Sequence, residues 1–116
     1  MAQEIWKKRG VDVRLGSATE LPFDDGEFDT VVSSHVIEHV KDDEKAIEEM
    51  ARVAKKRLLV VVPEGNVDAK NFGSKHLRYY DRVNFCRLFE KVDSLESQGY
   101  SLPHSHMNNL IMEVNF

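Results

Sequence analysis

Leu58-Leu59-Val60-Val61-Val62 is an unbroken aliphatic run of strand length. Alternate residues of a strand face opposite sides, so such a run needs cover on both faces, the usual condition of a parallel strand in an α/β protein. The residues before it agree with that reading. Ala46, Ile47, Met50, Ala51 and Ala54 recur at three- and four-residue steps, with Lys45, Glu48, Glu49 and Arg52 on the other side. This pattern predicts an amphipathic helix running to about Lys55, with Asp42 or Asp43 able to cap its start. Residues 28–33 read as an earlier strand. Strand, helix and strand from 29 to 62 then form a right-handed βαβ unit.

Four chemically capable side chains, Ser34, His35, Glu38 and His39, fall just after the first strand of that unit. In open α/β sheets, ligands bind beyond the carboxyl ends of the strands, so this cluster is the candidate site. Upstream, residues 2–9 form a short predicted helix with Ile5 and Trp6 as its apolar contacts, ended by Gly10. Residues 11–15 alternate apolar and polar, which predicts a strand with one buried face. Gly16-Ser17-Ala18-Thr19 is a tight turn, Pro22 keeps its predecessor out of a helix, and Asp24-Asp25-Gly26 is a second turn. Downstream, residues 65–79 read as a long loop, and Asp81 can cap a helix through Glu90. Residues 92–97 and 109–116 read as strands around turn material, an antiparallel pair closing the sheet.

Composition removes several classes of function. With 116 residues, 41% hydrophobic and 31% charged, the chain reads as one soluble domain, residues 1–116. A net charge of −4 leaves no basic footprint, so no nucleic acid is expected as a partner. The Lys55-Lys56-Arg57 run sits where cations complement a helix end. A single cysteine, Cys86, rules out an intramolecular disulfide and a multi-cysteine zinc site, and its apolar helical setting reads as core rather than nucleophile. No apolar run reaches membrane-span length, and the first residues lack the order of a signal peptide. No membrane contact and a cytoplasmic location are the expectations.

The stretch Gly16-Ser17-Ala18-Thr19-Glu20-Leu21-Pro22-Phe23-Asp24-Asp25-Gly26-Glu27-Phe28-Asp29-Thr30-Val31-Val32-Ser33-Ser34-His35-Val36-Ile37-Glu38-His39-Val40 resembles the centre of class I S-adenosylmethionine-dependent methyltransferases. It is most similar to the small-molecule group typified by ubiquinone-biosynthesis methyltransferases. The resemblance continues through residues 58–62, Lys75-His76-Leu77-Arg78 and the terminal hairpin. It implies an α/β, truncated Rossmann-like fold: a mostly parallel sheet of about five strands, an antiparallel C-terminal strand and helices on both faces. It implies S-adenosylmethionine as cofactor and a small-molecule methyl acceptor. By position, Ser17, Ala18 and Thr19 match the turn that touches the adenine, and Ser33 and Ser34 match the methionine side. His35 and His39 then stand where a catalytic base is wanted.

The departures from that family matter as much. Its members open with a strand and a glycine-rich loop, followed by a second strand ending in an acidic residue; here residues 11–15 resemble the third strand. None of the 6 glycines forms a G-x-G-x-G run, and the acidic residue usual after the third strand is Ser17. The implied cofactor site is therefore weakened or absent in this chain by itself. The alternatives are an inactive, methyltransferase-derived binding or scaffold protein, and a subunit or fragment that needs a partner to complete the site. The full fold sets its third and fourth strands roughly 14 Å apart. Without the two strands between them, residues 11–15 can close beside 28–33, or a second chain can cover the open edge as a dimer or partner subunit. A reduced sheet with a dimer contact is the expectation.

His35, Glu38 and His39 share one helical face, and two imidazoles with a carboxylate suit zinc or manganese, with His76, His104 or His106 as a further ligand. The plainer use of that pattern is to cap and line a cleft, and no metal is expected. His76, Arg78 and Tyr79 on the long loop could grip an anionic substrate or belong to a lid. His104-Ser105-His106 reads as a polar surface turn, and Trp6 as a core or partner contact.

Overall fold

The computed structural model describes residues 8–65, 77–92, 95, 99–100 and 104–116. Its elements are β1 (Phe28–Ser34), a one-turn 3-10 helix at Ile37–His39, α1 (Asp43–Val53), β2 (Ala54–Pro63), α2 (Arg82–Glu90), β3 (Gly99–Tyr100), β4 (His104–His106) and β5 (Asn109–Asn115). The helix starts follow from their caps. Asp42 accepts from the Lys45 N–H at 3.1 Å, and Asp81 and Asn84 form a reciprocal capping box. The predicted βαβ unit is present as β1, α1 and parallel β2. The helix ends two residues before the predicted point, because β2 takes Ala54 and extends to Pro63.

The strands form one five-stranded sheet, in the order β1-β2-β5-β3, with β4 also paired to β5. Among the described strands β1 and β2 are the parallel pair; β5 is antiparallel to β2, β3 and β4. The balance differs from the mostly parallel expectation because a hairpin, antiparallel by construction, lays its second strand beside β2. Met107 and Asn108 form the two-residue turn, with φ of 50° and 64°, the left-handed geometry that matches strand twist. The segment His104-Ser105-His106 is thus a strand rather than a turn.

Register aligns one buried face across three strands. Val31 and Ser33 stand beside Leu58 and Val60, which stand beside Val114 and Met112, with Val62 opposite Leu110. Ile47, Met50 and Ala51 of α1 and Phe85, Leu88 and Phe89 of α2 belong to the same core cluster as that face. Each fully buried aliphatic or aromatic side chain there contributes about 1.5–3 kcal/mol. α1 and α2 therefore lie on this side. The opposite face carries Val32, Leu59, Val61 and Ile111, of which Val32 is 61% exposed.

Residues 11–15 do not form the predicted strand, and Leu15 is 85% exposed. A strand needs a ladder partner, and among the described residues β1 stands at the sheet margin, bonded on one side only. The five strands are reached through β3, β4 and β5, not by closing 11–15 against β1. Residues 92–97 likewise do not give a strand at their described positions: Leu95 donates to the Val92 carbonyl at 3.0 Å, and both side chains are buried. The helix predicted at 2–9, with Trp6, lies almost wholly outside the described residues, as does most of the 65–79 loop.

What holds the segment before β1 is α1. The Glu49 carboxylate accepts from the Leu21 N–H at 2.8 Å and from Arg52 Nε at 2.6 Å. Arg52 also donates to Asp25 at 2.7 Å and to the Leu21 carbonyl at 3.1 Å, and its own carbonyl receives the Gly26 N–H at 2.8 Å. The Arg52 guanidinium bonded to Glu49, helped by the Leu21 N–H, holds that carboxyl below the usual range against the opposing effect of burial. A lowered carboxyl pKa gives stability that is present above the unfolded value, 4.5, and is lost as pH falls through the folded one. We predict that Glu49→Gln lowers the urea midpoint at neutral pH. The gap to the parent chain should shrink steadily below about pH 4.5. Leu58→Ala should cost about 2–5 kcal/mol at any pH in the same measurement, since Leu58 is fully buried.

Candidate functional site

β1 ends in a sharp change of direction. His35 has φ of 55°, a left-handed conformation uncommon outside glycine but tolerated by histidine. Its N–H still bonds the Val61 carbonyl at 2.9 Å, so the kink is anchored to β2. Its ring reaches across the end of β2, where Nε2 meets Asn109 Oδ1 of β5 at 2.7 Å. The following 3-10 turn buries Ile37 and Glu38 and leaves His39 exposed.

Arg78 fixes that turn from the far side of the chain. Its Nη1 donates to the Ile37 carbonyl at 2.8 Å and also to the Val40 carbonyl. Its Nη2 donates to the Lys41 carbonyl at 2.8 Å, and its Nε lies 3.6 Å from Asp43. The Leu77 N–H bonds the Glu38 carbonyl at 2.9 Å. Asp43 also accepts from Tyr80 at 2.8 Å, and burial, then that bond, pushes the phenol well above its ordinary range. Arg78 is therefore committed to backbone carbonyls rather than to gripping an anionic substrate. His76 lies outside the described residues.

The predicted cofactor residues divide between two clefts. One, of about 320 Å³, runs along the free edge of β1 and is lined by Ser17, Ala18, Phe23, Val31, Ser33 and Met50 among others. Phe23 packs edge-on against Phe28 at 4.9 Å between ring centres, with the Arg14 guanidinium 5.3 Å from the Phe23 centre on another side. The second, of about 760 Å³, is bounded by Ser17, Ala18 and Thr19 on one side and Val40, Asp42 and Glu44 at the start of α1 on the other. Ser17 and Ala18 form the wall between them. The turn is stiffened by the Ser17 and Thr19 hydroxyls, 3.0 Å apart. Gly16 is needed there, because a Cβ at this position would lie 2.8 Å from Pro22 Cδ. Ser33 is buried, and its hydroxyl has no partner among the described residues. Ser34 turns to the opposite face and is exposed, so Ser33 and Ser34 do not act on one space.

The metal arrangement weighed for His35, Glu38 and His39 is not assembled. Among the described residues no three His, Cys, Asp or Glu side chains converge as ligands. Asn109 takes the His35 ring, and the Glu38 carboxylate is buried with both oxygens unpartnered among those residues. His106 is exposed on β4, and the His104 side chain is outside the described set. Cys86 is half-exposed rather than a core residue, and its thiol faces Glu90 at 3.8 Å; burial, then that neighbour, pushes the thiol up, away from the nucleophilic form. Asn109 was passed over by sequence reasoning, and Arg78 was singled out there for a different partner. Their positions depend on strand register and on a loop return, neither of which leaves a local signal.

Residues 1–62 match the methyltransferase domain family. The chain belongs to that family. Over 104 residues this methyltransferase-family chain is 30% identical to an uncharacterized protein of Methanocaldococcus jannaschii, covering 84% of itself and 50% of that protein. Over 61 residues it is 44% identical to ajmaline N-methyltransferase of Rauvolfia serpentina, covering 53% of itself and 20% of that enzyme. It thus spans half or less of the length of these curated relatives. Among solved structures it superposes on an S-adenosylmethionine-dependent methyltransferase of Thermotoga maritima with a TM-score of 0.74 at 21% identity, over 97% of this chain and 67% of that one. A chain from the complex of the Haloferax volcanii Trm112 methyltransferase activator with a methyltransferase gives 0.72 at 14% identity, over 93% and 65%. These likenesses show the Rossmann-like methyltransferase fold.

Arg78 makes its bonds through a planar fork that lysine does not reproduce. Arg78→Ala and Arg78→Lys should both speed amide hydrogen exchange at residues 38–41, with little change in the β2 and β5 amides. Equal protection in the variants and the parent chain would remove Arg78 from this role.

Proposed function

We propose that this chain carries the adenine turn and the acceptor wall of an S-adenosylmethionine-dependent methyltransferase acting on a small molecule. The observation that carries the reading is the edge cleft. Ser17 and Ala18 line it together with Ser33, a buried hydroxyl left without a partner among the described residues. A buried unpaired hydroxyl costs about 1–3 kcal/mol, a cost that a polar ligand in the cleft relieves. Ser17, Ala18 and Thr19 would hold the adenine and Ser33 the amino-acid end, while Ser34, on the other face, has a weaker claim. The cofactor supplies an electrophilic methyl group on a sulfonium. His35 and His39 stand at the carboxyl end of β1 as the bases for an acceptor that loses a proton. The match to ajmaline N-methyltransferase favours a small-molecule acceptor over a nucleic acid.

A second reading has its own support. The cleft follows the unpaired edge of β1, and Val32 on that strand is 61% exposed. An open edge with apolar residues invites another strand, so further polypeptide, from a partner or a second copy, completes the cofactor side. The likeness to a chain from a methyltransferase–activator complex is in keeping with this.

Calorimetric titration with S-adenosylhomocysteine tests the reading. Saturable one-site binding, weakened by Ser33→Ala, is expected. Absence of heat at millimolar ligand, with the chain folded, overturns cofactor binding by this chain alone and favours the scaffold role.

A further inference from the structure

Asn109 presents its two amide ends to different partners. Its Nδ2 donates to the Met107 carbonyl at 3.2 Å, which turns Oδ1 toward the His35 ring. Oδ1 is an acceptor only, so the His35 nitrogen 2.7 Å from it must carry the proton. We propose that Asn109 is a positioning residue that holds neutral His35 as its Nε2–H tautomer and leaves Nδ1 as the ring's single proton-accepting atom.

Three features of the fold make this a held state rather than a chance contact. The left-handed φ of 55° at His35 is uncommon for a side-chain-bearing residue, and the Val61 hydrogen bond secures it. Asn109 opens β5 and is paired on one side with Pro63 and on the other with His106, so its backbone is fixed by two strands. The hairpin that carries it is tied to the end of β2, where the Glu64 N–H bonds the Asn108 carbonyl at 2.8 Å. Among the described residues Nδ1 has no hydrogen bond, so the ring is a donor on one side and an open acceptor on the other.

The consequence deepens the methyl-transfer reading and rests on it. When the lone pair of an acceptor nitrogen or oxygen bonds the methyl carbon, the carbon–sulfur pair returns to sulfur. The acceptor's proton then passes to a base, and Nδ1 has the free pair to take it. A ring protonated at Nδ1 would lack that pair.

Nuclear magnetic resonance of the full chain tests the tautomer without any cofactor. The ring nitrogens of 15N-labelled protein are recorded at about pH 8, above the ordinary histidine range, with His35→Gln to assign the signal. A bare Nδ1 and an Nε2–H proton protected from exchange with water are expected. Asn109→Ala should lose that protection, and Asn109→Asp, which keeps an acceptor oxygen, should retain it. An Nδ1–H tautomer in the parent chain overturns the proposal. So does undiminished Nε2–H protection in folded Asn109→Ala; should that variant fail to fold, the parent spectrum decides alone. The stated tautomer together with no S-adenosylhomocysteine binding supports the positioning role and overturns the methyl-transfer reading instead.

Discussion

The Glu49–Arg52 pair on α1 does for the segment before β1 what strand pairing does elsewhere in the sheet. β1 is the marginal strand, and the residues leading into it have no ladder to join. Glu49 takes the Leu21 N–H, Arg52 takes the Leu21 carbonyl and Asp25, and the Arg52 carbonyl takes the Gly26 N–H. Four bonds from one helical turn thus replace a missing neighbour. They also set the width of the edge cleft, because Ser17, Ala18 and Phe23 on its outer wall lie on the same segment. Glu49 is 7% exposed, so losing Arg52 would leave a nearly buried carboxylate with only the Leu21 N–H, whereas Arg52 without Glu49 keeps Asp25 and the Leu21 carbonyl.

Legibility from sequence tracked the range of the interaction responsible. β1, α1, β2 and α2 were readable because periodicity and capping are local: an aliphatic run, a three-four repeat, an aspartate before each helix. The strand expected at 11–15 was misread for the opposite reason. Alternation gave a residue pattern suited to pairing, but pairing depends on a partner that no local pattern reveals. In the same way, the sheet's parallel majority was over-read, since the hairpin's direction was legible while its place beside β2 was not.

The candidate site shows the same division. Ser17, Ala18 and Ser33, which the family resemblance put on two parts of one cofactor site, line one cleft. Ser34, one residue on, leaves it, because neighbouring strand residues alternate in direction. The helical spacing of His35, Glu38 and His39 suggested a shared face. His35 instead closes the strand in a left-handed conformation, and the helical turn begins only at Ile37, so the three residues belong to two local geometries. Arg78 was read as a ligand for an anion. Three carbonyls at the end of a turn, each bearing partial negative charge, are such a ligand supplied by the chain itself.

The two halves of the candidate site are built with different firmness, and the difference follows from topology. The His35 side, proposed to face the acceptor, rests on β2 and β5, the two central strands, joined by seven register pairs. Ser105 of the hairpin adds a bond to Glu64 at 3.0 Å, and Arg82 at the start of α2 reaches the same hydroxyl at 3.1 Å. His35 is thereby placed by three elements distant in sequence. The cofactor side rests on a marginal strand and on a segment held by one helical turn. A ligand or strand that bonds the outer edge of β1 gains most there, because its groups meet peptide N–H and C=O groups that no described strand pairs across that edge. The same addition would cover Val32 and bring the Ser33 hydroxyl within reach of a donor or acceptor. On the proposed reading, the residues for proton transfer rest on the central strands and those for methyl donation on the sheet margin.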